Sequence, residues 1–247
     1  YSRAAKEPNR DDFEASLAQQ PRAEKLNDIE LGAGKKGKNY SWNAVFYYMH
    51  YKDQLVLTGK INDVGAYTRT NIPKSYRTGI EIDGSLYITK WMKASANLSL
   101  SRNKVIDFTE YIDDYDNGSQ KSYDHKLTDI ALSPGIIGGA TVSIIPLKNL
   151  EIAFLSKYVS KQYLDNAQNE NRKLSSFYNQ DARFLYTVQK GFLKEVNFIF
   201  QVNNLFNRKY EPSGYTYSYI SGGSLTTENY YYPMAGTNVI AAVNIKL

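Results

Sequence analysis

The chain has 247 residues, 30 Lys+Arg against 25 Asp+Glu, two His, 22 Tyr and no Cys. That length allows one large domain or two ordinary ones, and the missing cysteine excludes a disulfide framework, zinc-finger spacings and a thiol nucleophile. A mean hydropathy of -0.51 and the lack of any apolar run near the ~20 residues of a spanning helix exclude a helical membrane protein. A net charge of +5 is spread thinly, with no Lys/Arg run longer than two, so nucleic acid is not an expected partner. A membrane β-barrel remains open, because only every second residue of its strands is apolar and its interfacial girdles are rich in tyrosine.

Taken in chain order, apolar/polar alternation predicts strands at 1–5, 23–34, 40–57, 75–89, 91–104, 127–145, 150–163, 177–188, 195–206 and 232–247. The pattern is clearest across 79–101. There Ile80, Ile82, Gly84, Leu86, Ile88, Met92, Ala94, Ala96, Leu98 and Leu100 hold even positions, while most odd positions are polar. The phase survives Thr89-Lys90-Trp91, so this pair is a hairpin. Connections at 35–39, 89–91, 146–149 and 189–194 are short; those at 6–21, 58–74, 105–126, 164–176 and 207–230 are long and polar. They alternate strictly. Outer-membrane barrels keep short turns at one end and long loops at the other, whereas a soluble sandwich or lectin-like domain has no reason to segregate them.

The expected fold is therefore all-β, an antiparallel up-and-down transmembrane β-barrel segment of ten strands with outer-membrane lipid against its apolar face. The opening strand of about five residues falls short of the ~9–11 that cross a bilayer, so the barrel is expected to be larger than this chain. Tyr1 is preceded by no Met, charged n-region or apolar h-region, so the start reads as processed or cut.

Several stretches carry a family likeness. "AAKEPNRDDF" followed by "RAEKLNDIELG", then "SWNAVFYYMHYKDQLV", "YRTGIEID", "QVNNLFNRKYEPSGY" and the tail "YYPMAGTNVIAAVNIKL" occur in that order. Together they resemble the C-terminal barrel of TonB-dependent outer-membrane receptors, particularly those of Bacteroidetes. The resemblance runs from Lys6 to Leu247, and ordered motifs are far more specific than one. Leu247 departs from it, standing where a terminal aromatic is common. The resemblance implies that residues 1–247 are about the last ten strands of a 22-stranded barrel, with plug domain, TonB box and signal peptide absent from the chain. It further implies active uptake of a scarce or bulky nutrient of siderophore, haem, cobalamin or glycan class. In that scheme the partners are the protein's own N-terminal plug, the TonB complex acting through it, and a small-molecule or glycan ligand. Alternatives are a passive outer-membrane pore, a ten-stranded outer-membrane barrel protease, or a soluble binding module.

No catalytic residue and no cofactor are expected. His50 and His125 lack neighbouring ligands at metal spacing, and Asp113, Asp114 and Asp116 fail the EF-hand pattern, so a solvated acidic loop is the reading. "GIIGGA" and "SGGS" open no helix and cradle no phosphate, and no nucleophile elbow is present. The polar strand face, with Glu81, Asp83, Lys93, Asn97, Asp181, Arg183, Asn197 and Gln201, is expected to line the lumen. Tyr47, Tyr48, Tyr51, Tyr158, Tyr163, Tyr178, Tyr186 and Tyr210, near strand ends, suit an aromatic girdle. Tyr215, Tyr217, Tyr219, Tyr230 and Tyr231, in the last long loop, are candidates for ligand contact, since rigid aromatics with polar tips serve such surfaces.

Overall fold

A computed structural model describes residues 1–14, 20–61, 67–190 and 193–246. In chain order the elements are β1 (Ser2–Lys6), α1 (Arg10–Glu14), β2 (Glu24–Lys36), β3 (Tyr40–Ile61), β4 (Tyr67–Tyr87), β5 (Met92–Asp114), β6 (Ser119–Asp129), β7 (Ile136–Leu147) and β8 (Leu150–Val159). There follow β9 (Gln162–Tyr163), β10 (Lys173–Leu174), β11 (Phe177–Lys190), β12 (Leu193–Asn203), β13 (Ser213–Ser221), β14 (Ser224–Tyr232) and β15 (Asn238–Lys246). Ten strands form one meandering path, β1-β2-β3-β4-β5-β7-β8-β11-β12-β15, every neighbouring pair antiparallel. Among the described residues no helix is long and apolar enough to cross a membrane.

A side-chain period of two means that one register assigns every residue to a face. Ala44, Ile82, Leu98, Gly138, Tyr158 and Tyr178 form one cross-strand row; Asn43, Asp83, Asn97, Gly139, Lys157 and Asn179 form the next, on the opposite face. Among the described residues none packs over the apolar face: Ile82, Phe198 and Phe200 are each about 45% exposed. That is how a wall meets lipid rather than a core. The buried apolar cluster of Val56, Ile72, Val105 and Ile130, with Phe108 packed on it, lies instead toward the end of the long connections.

Those connections differ from expectation. Much of 58–74 is strand, because β3 and β4 continue past the point where alternation fades; 62–66 lie outside the described residues, as do 15–19, 191–192 and Leu247. Residues 105–126 were expected as loop, yet β5 runs on to Asp114 and folds back as β6. The expected strand 127–145 is broken between β6 and β7, which pair with successive parts of β5. Leu132 there has φ +49, and Pro134 has no N–H to give a ladder. Residues 207–230 hold the β13–β14 hairpin, so Tyr232 closes that hairpin instead of opening the last strand. Strand 150–163 stops at Val159, and Tyr163 turns away to pair with Lys173. At the end of β12, Asn204 (φ +51) accepts from Arg208 N at 2.8 Å and donates to Arg208 O and Ala235 O, so the "NNLFN" motif is a turn tied down by its own asparagine.

The girdle divides by face. Tyr48, Tyr158, Tyr178 and Tyr186 lie in apolar rows. Tyr47 and Tyr51 share the face of Arg77 and Glu81 instead, and Gly79 makes room for Tyr47, whose hydroxyl a Cβ at 79 would meet at 2.7 Å. Tyr163 is buried among the loops, and Tyr210 stacks on Phe177 at 4.3 Å.

Candidate functional site

The long connections form one interlocked assembly. β13 pairs in parallel with the outer end of β5 through Tyr219 with Asp113 and Ile220 with Asp114, and Tyr115 N donates to Ile220 O at 2.9 Å. The turn of the hairpin needs positive φ at Gly222 (+61) and Gly223 (+74), which favours glycine. Their N–H groups each donate to the Asp116 carboxylate at 2.8 Å. Asp114 is 1% exposed and accepts from Asn117 Nδ2 at 3.0 Å, with Lys121 Nζ 3.4 Å away. The acidic stretch is therefore more than a solvated loop: Asp114 is buried on local partners, and the exposed Asp116 latches the hairpin by accepting from backbone donors about a hundred residues later.

A charged knot lies behind that latch. Arg172 Nη1 donates to Asp165 Oδ2 at 2.6 Å and to Glu110 Oε1 at 2.5 Å, with all three side chains at most 12% exposed. His125 Nε2 lies 3.2 Å from Glu110 Oε2. Burial pushes the Asp165 carboxyl above its ordinary range, with Arg172 opposing. Burial works against the Arg172 charge, but the Glu110 hydrogen bond and Asp165 outweigh it and hold the guanidinium above its usual value. Fully buried Asn166 bridges Leu57 O and Ala131 N. At the surface, Lys161, Lys173 and the Tyr163 hydroxyl converge on Glu170 at 2.5–2.7 Å and lower its carboxyl to about 2. A cavity of about 470 Å³ opens beside the knot, between the outer part of β5, the segment after Leu164 and the Thr216/Ser218 face of β13.

The candidate tyrosines split across the hairpin. Tyr215, Tyr217, Tyr219 and Tyr230 share one face: Tyr215 stacks on Tyr230 at 4.8 Å, Tyr217 lies 5.4 Å from Tyr219, and Tyr115 joins at 5.6 Å from Tyr219. Glu228 accepts from Tyr219 and Tyr230, which raises both phenols. Tyr231 is on the other face, against Gly214, with its hydroxyl 3.5 Å from Lys173 O. The tyrosine face is not the cavity wall; the alternate residues Thr216 and Ser218 are.

Glu81, Asp83, Lys93, Asn97, Asp181, Arg183, Asn197 and Gln201 fall on one face by register, Asp83 opposite Asn97 and Arg183 opposite Gln201. Asp83, Asn97 and Asp181 line an open hollow of about 620 Å³. Asp181 Oδ1 accepts from Asn204 N at 2.8 Å, and Asn197 accepts from Thr187 at 2.7 Å. Glu110, Asp165, Asn166 and Arg172 carry no sequence signal that sets them apart from solvated loop residues. Among the described residues no group of His, Asp and Glu is arranged to hold a metal ion.

The profile of the family described as "TonB dependent receptor-like, beta-barrel" matches residues 1–205. The chain belongs to this family. The family is described as a receptor-like β-barrel, and the match does not favour the protease reading. No curated protein matches. Among solved structures, the siderophore receptor PiuA from Acinetobacter baumannii is similar at 18% identity and TM-score 0.64, over 90% of this chain and 28% of that one. The copper transporter OprC is similar at 15% and 0.66, over 98% and 36%. A ferric enterobactin receptor (PfeA) mutant from Pseudomonas aeruginosa is similar at 16% and 0.60, over 98% and 37%. The chain thus spans about a third of the length of these receptor chains, and the likeness is one of fold.

Proposed function

We propose that the chain is the C-terminal part of a plugged, 22-stranded TonB-dependent barrel that takes up a scarce or bulky nutrient of siderophore, haem, cobalamin or glycan class. The observation that carries this reading is the family match across 1–205 together with the gathering of the described parts of the long connections into one assembly. In this reading the polar face lines the lumen against the plug, and the TonB complex acts through the plug to open a path. Tyr215, Tyr217, Tyr219 and Tyr230, held as one aromatic face, contact ligand; Tyr231, on the opposite face, supports the hairpin.

The test uses the full receptor in cells. Uptake of the cognate nutrient should vanish when TonB is removed; uptake that persists would make this a passive pore. Single cysteines at Asp83, Asn97, Asp181 or Gln201 should react with a water-soluble maleimide in the purified receptor once its plug is released, while cysteines at Ile82 or Phe198 should not. Labelling on the apolar face alone would overturn the lumen assignment.

A further inference from the structure

The cavity beside the charged knot has a property the uptake reading does not use. Arg172 is buried, and its Nη1 serves both Glu110 and Asp165, but its Nε–H has no hydrogen-bond partner among the described residues. A buried guanidinium N–H left unpaired is costly, so an acceptor from outside the loops is favoured there. Arg172 lines the cavity, and the cavity's volume of about 470 Å³ falls within the range of about 300–1,000 Å³ in which small-molecule sites are found.

The charge of the wall decides what kind of acceptor fits. Among the described residues, Asp107, Glu110 and Asp165 line the cavity against the single guanidinium of Arg172. The surplus of carboxylates disfavours an anionic oxygen and leaves an uncharged one. Opposite stand the hydroxyls of Thr216 and Ser218, while Ile72 and Phe108 supply an apolar wall. The Thr216 hydroxyl already donates to Asn229 Oδ1 at 2.8 Å and the Ser218 hydroxyl pairs with Thr227 Oγ1 at 3.0 Å, so each keeps lone pairs that accept. Acceptors facing an apolar surface match a small ring with hydroxyl donors on its edge and C–H groups on its face.

We propose that this cavity is a binding site for a small uncharged polyol of monosaccharide size, whose hydroxyl oxygen accepts from Arg172 Nε–H. The proposal deepens the uptake reading and rests on it for the side from which ligand arrives. The site is distinct from the tyrosine face, since Thr216 and Ser218 alternate with Tyr215, Tyr217 and Tyr219 along β13.

The experiment is saturation-transfer NMR on the detergent-purified full receptor. The probes are the methyl glycosides of glucose, galactose and mannose, with arabinitol, glucuronate and glucosamine beside them. At least one uncharged probe should bind, and glucuronate should not. Ala167→Phe, which fills the cavity, should abolish that binding. Ser218→Ala, which leaves the knot untouched, should weaken it about tenfold, the loss expected for one hydrogen bond. Heat-modifiable migration on gels reports whether each variant keeps its barrel. Binding of none of the uncharged probes, preference for glucuronate or glucosamine, or binding unchanged in both folded variants would overturn the site. TonB-dependent uptake is measured on the same receptor in cells. If it is intact while the sugars fail, the site alone is lost; if uptake proves independent of TonB, the uptake reading fails whatever the sugars do.

Discussion

The strand wall and the loop assembly are built from the same strands by opposite rules. In the wall, Ile82, Phe198 and Phe200 stay about half exposed, and cohesion comes from continuous antiparallel ladders such as β4–β5 and β11–β12. In the assembly, Ile72 and Val105 are buried, carboxylates meet guanidinium and backbone donors, and contacts join segments about a hundred residues apart. The difference follows from solvent. Lipid asks only that backbone groups be paired and the outer face be apolar, whereas loops in water hold a shape only by burying side chains of their own.

This contrast can be attacked from its strongest point downward. Arg172→Ala strands Glu110 and Asp165 as buried carboxylates and should cost the assembly about 3–5 kcal/mol. Hydrogen exchange should rise in β13, β14 and 164–174, with the wall ladders unchanged; exchange rising equally in β11 and β12 would mean the two regions are one cooperative unit. Ile82→Lys should cost the wall about 2–4 kcal/mol in a bilayer, read as a lowered denaturant midpoint for refolded full receptor. Asp83→Lys one residue along should have little effect, and equal damage from both would sink the assignment of faces.

Smaller effects belong to the latch and the surface. Asp116→Ala removes two acceptors from the Gly222–Gly223 turn and should cost about 1 kcal/mol, visible as faster proteolysis within 213–232 and nowhere in the ladders. The smallest effect concerns pH. Glu170 is lowered from 4.5 to about 2 by Lys161, Lys173 and Tyr163. Its stabilisation is therefore full above pH 4.5 and is lost as pH falls through 2. Glu170→Gln should flatten that acid dependence of exchange in 164–174; an unchanged acid profile would remove Glu170 from the account.

The wall was legible because alternation is local. The even positions from Ile80 to Leu100 reveal a face without knowledge of any partner, and the path of ten strands follows from ten such runs. The sequence is silent where solvent reaches both faces of a strand and alternation loses its apolar half. There β5 beyond Val105, β6 and the β13–β14 hairpin look like polar loop. Tyr47 and Tyr51 differ from the girdle expectation for another reason: tyrosine suits either face, and only the register with Arg77 and Glu81 places them.

The amino-acid sequence by itself determined the ten-strand path of the wall, its two faces and the end at which the long connections gather, because period two and turn chemistry act within a few residues. Its motifs also point to the family. Only the tertiary structure decided that Glu110 and Arg172, 62 positions apart, share a hydrogen bond, that Asp116 clamps a distant turn, and that Thr216 and Ser218 rather than the tyrosines face the cavity. Those are pairings between segments whose local sequences are ordinary, and pairing at a distance is set by how the chain closes in space.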